Sequence, residues 1–202
     1  MTVLMMAEAL DLRGEQIMFS SNVTPADDFI KARELDVIIN LDDITHIDFL
    51  EKNGGLPETL CMRFNPGGDF CIGNTIMGNP GDAKYGMTKA QIFEAVEILM
   101  KKGVKHFGLH AFLASNMIEN DYYASLAAIL FRLAVEINEK LGADIAFVNL
   151  SGGVGIPYKP EDKPVDLEYV GATVKKAYDE IIVPSNLKKI SIKSELGRYI
   201  TG

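Results

Sequence analysis

A chain of 202 residues is long enough to bury a sizeable core, and one domain is the default at this length. Hydrophobic residues make up 48% and charged residues 24%, as in an ordinary globular protein, and the net charge of −8 argues against a nucleic-acid or anionic-membrane surface. No apolar run approaches the roughly 18 residues that a spanning helix needs, and Met1–Leu10 lacks the basic start of a signal peptide. Cys61 and Cys71 are able to pair in principle, but nothing else points to an oxidising compartment, so thiols and a cytoplasmic location are expected.

From Gln16 onward, short apolar runs alternate with segments of helical period. Ile17-Met18-Phe19 reads as a strand, and a helix follows from about Pro25 to Leu35, with proline well placed in a first turn. Val37–Leu41 is the next strand, and Asp42 or Asp43 is suited to cap a helix running to about Lys52. Thr59–Asn65 is the third strand. The Gly- and Asn-rich stretch Pro66–Tyr85 then reads as a long loop, of the kind that is usually functional or mobile. Ile92, Val96, Leu99 and Met100 mark a helix and Val104–Phe112 a strand; Leu126, Ile129, Leu130, Leu133 and Ile137 mark a long helix ending near Gly142. Ile145–Leu150 is a strand, Val170 to Ile181 a helix, and Ile190–Glu195 the last strand.

Strands alternating with helices imply a parallel sheet, because parallel strands need long crossovers. The two common closures are an open doubly wound sheet and a β/α barrel. No Gly-x-Gly-x-x-Gly turn follows the first strand, which weighs against a dinucleotide-binding fold. Glycine-rich and acidic signatures on the late strands fit a barrel, whose phosphate sites often lie there. The expectation is an α/β fold: a partial (β/α)8 TIM-type barrel with about six of eight units, forming one domain over residues 1–202.

Three strand-end signatures carry the chemistry: Gly108–Asn116, Asn149–Gly155 and Glu195–Arg198. The C-terminal ends of parallel strands are where such folds bind ligands. Gly152, Gly153 and Gly155 let backbone N–H groups approach a phosphate closely, although a glycine-rich turn is often only a turn. Ser115 offers a hydroxyl to the same group, or an N-cap. Arg198 suits a phosphate or a substrate carboxylate; otherwise it is a surface arginine. Alternation puts Ser191, Lys193 and Glu195 on one face, so Glu195 either points inward or pairs with Arg198 or Lys193. His110, by itself, reads as a core histidine. Arg63 is unusual in an apolar strand and requires a partner if buried. His46 and His106 lack the neighbours of a metal site, so no metal is assigned.

Together with Arg63-Phe64-Asn65-Pro66-Gly67 and Lys84-Tyr85-Gly86-Met87, these signatures resemble the pyridoxal-phosphate-dependent decarboxylases of the alanine-racemase-like barrel fold, and most of all the diaminopimelate decarboxylases within it. Order and spacing agree across nearly the whole chain. Departures are Phe112 in place of a ring-stacking histidine, Ala114 and Ser151 in place of glycines, and Leu196 in place of a proline.

The resemblance implies pyridoxal 5'-phosphate as cofactor and a small amino acid as substrate, meso-diaminopimelate giving L-lysine and carbon dioxide. Relatives acting on carboxynorspermidine, ornithine or arginine, or a non-catalytic phosphate-binding α/β module, are the alternatives. It implies that Glu195 holds the pyridine nitrogen protonated and that Phe112 stacks on the ring. Ser115, Gly152, Gly153, Gly197 and Arg198 would serve the phosphate or substrate end, with His110 and Arg63 nearby. It further implies a homodimer with Lys84 at its interface. A Schiff-base lysine and a carboxy-terminal β-domain would lie outside these residues, leaving this stretch unable to turn over by itself.

Overall fold

The computed structural model describes residues 1–67 and 85–201. Its six strands are β1 (Met18–Ser20), β2 (Ile38–Leu41), β3 (Thr59–Arg63), β4 (His106–His110), β5 (Asp144–Asn149) and β6 (Ser191–Lys193). They form one sheet in the order β1-β2-β3-β4-β5-β6, with every pair parallel. Among the described residues the order never reverses, so there is no switch point of a doubly wound sheet, and the strands run as in part of a β/α barrel, with no pairing between β6 and β1.

Helices α2 (Ala26–Glu34), α3 (His46–Gly54), α4 (Lys89–Lys101), α5 (Asp121–Leu141) and α6 (Leu167–Ile181) connect successive strands, and α1 (Thr2–Ala9) precedes them. The short helix α7 (Gly197–Thr201) follows β6 and was not anticipated. Local chemistry sets several boundaries. Thr88 and Gln91 form a reciprocal capping box on α4, and α5 ends at Gly142 in the left-handed conformation. The expected cap of α3 by Asp42 or Asp43 is not made. Asp43 instead accepts bonds from the amide and hydroxyl of Thr45, and Asp42 turns to Arg63.

The sheet curls. Strands β1 and β5 are four spacings apart, about 19 Å in a flat sheet, yet Asn149 Nδ2 lies 2.8 Å from Met18 Sδ across the concave side. On the convex side Ile39, Leu41, Leu60, Met62, Leu109 and Val148 are wholly buried against the helices. Among the described residues the concave side carries a small apolar cluster of Ile38, Cys61 and Phe147, with Met18 and Ala146 against it. Cys61 has its thiol pushed well above the ordinary range by burial, so it acts as a small apolar filler. Cys71, Lys84 and most of the loop 66–85 lie outside the described residues.

Strand β5 carries an irregularity. Phe107 pairs with Ile145 but Gly108 pairs with Phe147, leaving Ala146 as an extra residue. Such a bulge reverses the alternation beyond it. Phe147 and Asn149 therefore face inward, and the Phe147 ring lies directly over Gly108, where a Cβ would come within 2.1 Å of it.

Candidate functional site

At the C-terminal ends of the strands lies a cleft of about 440 Å³. Arg63, His110, Phe112, Ser115, Gly152, Gly153, Glu195, Gly197 and Arg198 all line it, so the residues singled out from the sequence meet in one place. Ser20 and Asn22, which were not singled out from the sequence, line it too, with Tyr85 and Ser151, which were noted only within motifs. Gly155 does not reach the cleft; its amide donates to the Met117 carbonyl at 2.8 Å.

Strand parity selects the inner side chains. Arg63, His110 and Asn149 end their strands on the concave side, Asn40 is the next-to-last residue of β2 on that side, and each is buried. Buried polar groups need partners, and here nearly all of them find one; Asn40 Oδ1 has none among the described residues. Arg63 Nη1 donates to Asp42 Oδ1 at 2.8 Å and to Asn22 Oδ1 at 2.9 Å, while Nη2 donates to the Phe112 carbonyl at 3.3 Å. The rings of Tyr85 and Phe112 stand 5.4 and 5.8 Å from the guanidinium. The buried arginine thus has the partner that its position demanded, an aspartate 6% exposed.

Asn40 Nδ2 donates to Ser20 Oγ at 2.9 Å and lies 3.2 Å from His110 Nδ1. An amide NH2 only donates, so Nδ1 accepts and the proton of the neutral ring sits on Nε2. That nitrogen faces Glu195 Oε1 at 3.9 Å. Burial, reinforced by the nearby positive charge of Arg63, pushes the His110 pKa down to about 3, so the imidazole is neutral at ordinary pH.

Glu195 accepts a bond from Asn149 Nδ2 at 2.8 Å, and its side chain is 45% exposed to the cleft. It pairs with neither Arg198 nor Lys193. Arg198 donates to the Tyr158 hydroxyl at 2.5 Å and stands over that ring; Lys193 lies over Phe147, deeper on the concave side. The inward option for Glu195 is therefore the one taken.

The glycine loop is threaded tightly. A Cβ on Gly152 would come within 2.2 Å of the Glu195 carbonyl, and one on Gly153, at φ +84°, within 2.4 Å of the Ala114 carbonyl. Ser151 itself holds a left-handed φ of 59°, a strained choice for serine. Its amide is secured by Asn149 Oδ1 at 2.7 Å. Among the described residues no protein acceptor takes the amides of Gly152 and Gly153. Two paired, unspent donors beside a hydroxyl suit an anion; a half-exposed carboxylate opposite suits a protonated ring nitrogen. The donor set accordingly fits a phosphorylated pyridine.

Asn40, Asp42 and Asn149 were missed as contributors. The signal available was a polar residue closing an apolar strand, the same signal that drew notice to Arg63.

Residues 2–202 match the family described as pyridoxal-dependent decarboxylase, pyridoxal binding domain. Protein TabA of Pseudomonas amygdali pv. tabaci is 28% identical over 199 residues, covering 98% of this chain and 46% of that protein. A diaminopimelate decarboxylase of Thermoplasma acidophilum is 27% identical over 190 residues, covering 93% of this chain and 44% of its own. The crystal structure of diaminopimelate decarboxylase from Helicobacter pylori complexed with L-lysine superposes with a TM-score of 0.81 at 19% identity, over 98% of this chain and 49% of that one. The chain spans about half the length of the curated relatives it matches.

Proposed function

The chain belongs to the pyridoxal-dependent decarboxylases, through their pyridoxal-binding domain, and on that premise we propose that its cleft holds the cofactor of an enzyme converting meso-diaminopimelate to L-lysine and carbon dioxide. The family's cofactor is pyridoxal 5'-phosphate. The observation that carries the reading is the convergence on one cleft of nine residues from stretches that lie far apart in the sequence. Diaminopimelate decarboxylases among the relatives support the substrate. The activity is proposed for the whole enzyme, with residues 1–202 as a single partial barrel domain of it, working as a cytoplasmic homodimer.

When bound, the cofactor supplies an electron sink for the pair left as carbon dioxide departs. The chain's own groups divide the remaining work. The amides of Gly152 and Gly153, with the Ser115 hydroxyl, bind the phosphate, and the backbone of Gly197 closes that end. Glu195 holds a proton at the ring nitrogen. His110, kept neutral, points its Nε2–H toward that carboxylate and adds no competing positive charge. Arg63, neutralised by Asp42, stands over Phe112 and braces that ring, which would stack on the cofactor. Arg198, exposed at the rim, binds the phosphate or the substrate carboxylate.

A titration of the chain with pyridoxal 5'-phosphate, followed by absorbance, tests the site. Saturable binding that weakens about tenfold or more in Gly153→Ala is expected, since the added methyl strikes the Ala114 carbonyl. Absence of saturable binding sinks the reading. Release of carbon dioxide and L-lysine from meso-diaminopimelate, measured in the whole enzyme against ornithine and arginine, tests the substrate.

A further inference from the structure

Asn149 is 1% exposed and does not itself line the cleft, yet it touches both halves of it. Its amide nitrogen donates to Glu195 Oε1 at 2.8 Å, while its Oδ1 accepts the Ser151 amide at 2.7 Å, at the head of the glycine loop. The Glu195 amide in turn donates to the Ser151 carbonyl at 2.8 Å. One side chain therefore latches β5 to the carboxylate that follows β6. Among the described residues nothing else does so. His110 Nε2 is beyond hydrogen-bond distance at 3.9 Å, Arg198 is engaged by Tyr158, and Lys193 by Phe147.

A half-exposed glutamate has several rotamers of similar energy, so an unanchored Glu195 would spend much of its time turned to solvent. We propose that Asn149 is the positioning residue of this cleft. It aims the Glu195 carboxylate and fixes it at a set separation from the Gly152 and Gly153 amides, so that the two ends of the bound ring are held together. Asn149 acts through Glu195 rather than on the ligand, and the inference rests on the reading of Glu195 given above. Its placement depends on the bulge: with Ala146 kept and the strand in regular alternation, Asn149 would turn toward the helices.

Two variants separate the arms. Asn149→Asp keeps the shape and an acceptor for Ser151 but replaces the donor to Glu195 with a like charge. Asn149→Ala removes both bonds and leaves a small void. Pyridoxal 5'-phosphate is titrated into the chain and into Asn149→Asp, Asn149→Ala, Glu195→Gln and the double variant Asn149→Ala/Glu195→Gln. Binding is read by absorbance and by the 31P shift, with a urea melt on each to establish folding. The expected result is a loss of about tenfold in Asn149→Ala and more in Asn149→Asp. The double variant should bind no more weakly than Glu195→Gln, because both act through one group. Binding by Asn149→Asp as tight as that of the unsubstituted chain, or additive losses in the double variant, overturns the proposal while leaving Glu195 in its role. A Glu195→Gln variant indistinguishable from the unsubstituted chain, or no saturable binding at all, overturns the functional reading instead.

Discussion

The two faces of the sheet are built by different rules. The convex face is a continuous layer of aliphatic side chains, buried against the helices. Among the described residues the concave face has Ile38, Cys61 and Phe147 as its buried apolar cluster, and above them lies a hydrogen-bonded band of Asn40, Arg63, His110 and Asn149. Area removed from water holds the fold, at about 25 cal/mol per Å², and that area lies on the convex side. The concave side contributes direction rather than area: the polar side chains there are held by specific partners, three each for Arg63 and Asn149. A substitution on the convex face should therefore reduce stability broadly, whereas one on the concave face should act through a named contact and be repairable at that contact.

The largest effect is expected on the convex side. Phe131, on α5, is wholly buried in the main core, so Phe131→Ala should cost about 4 kcal/mol in urea unfolding. A loss under about 1 kcal/mol would mean that this layer is not where stability resides.

Gly108 tests the inner face. The Phe147 ring occupies the place of its missing side chain, so Gly108→Ala should cost roughly 2 kcal/mol. Adding Phe147→Leu should restore much of that loss, since the ring tip is the obstacle. Failure of the second change to rescue would show that the glycine is needed for another reason.

The smallest expected effect is a slope. Folded His110 stays neutral down to about pH 3, whereas an unfolded histidine takes up its proton near 6.5. Above pH 6.5 both states are neutral and the residue adds no pH dependence. As pH falls below that value, the unfolded chain gains a proton that the folded one refuses, and stability drops by up to about 1.4 kcal/mol per pH unit. In His110→Gln this contribution disappears, so urea midpoints measured between pH 7 and 5.5 should fall less steeply than in the unsubstituted chain. Parallel slopes would show that the ring is protonated in the folded state.

The same division explains what was legible beforehand. Convex residues announce themselves, because Leu126, Leu130, Leu133 and Ile137 recur at helical spacing and strands such as Ile38–Leu41 are nearly all apolar. Five helices, six strands and their order follow from that pattern. The cleft residues with unusual chemistry, Arg63, Glu195 and the glycines, were visible for a related reason, since each is out of place in its surroundings. Their partners were not visible. Asp42 reads locally as a helix cap, and only the neighbouring strand reveals it as the counterion of Arg63. Asn149 faces inward because of a pairing between β4 and β5 that nothing in Asp144–Asn149 encodes by itself. The short α7 carries too few residues to show a period.

The extra residue in β5 has a consequence for how chains of this kind drift in length. Side-chain direction along a strand is a matter of odd and even, and Ala146 shifts the count once, just before Phe147, Asn149 and Ser151. Gaining one codon between Phe147 and Ser151 would exchange the inward side chains beyond it for their outward neighbours, placing Val148 and Leu150 where the polar band now closes, whereas losing Ala146 would only straighten the strand and leave Asn149 facing inward. A compensating second event would have to occur within the same few residues. Insertions should therefore be excluded from this short window far more strictly than amino-acid replacements are, and a homologue that lacks the bulge must carry its polar groups one residue nearer the start of the strand.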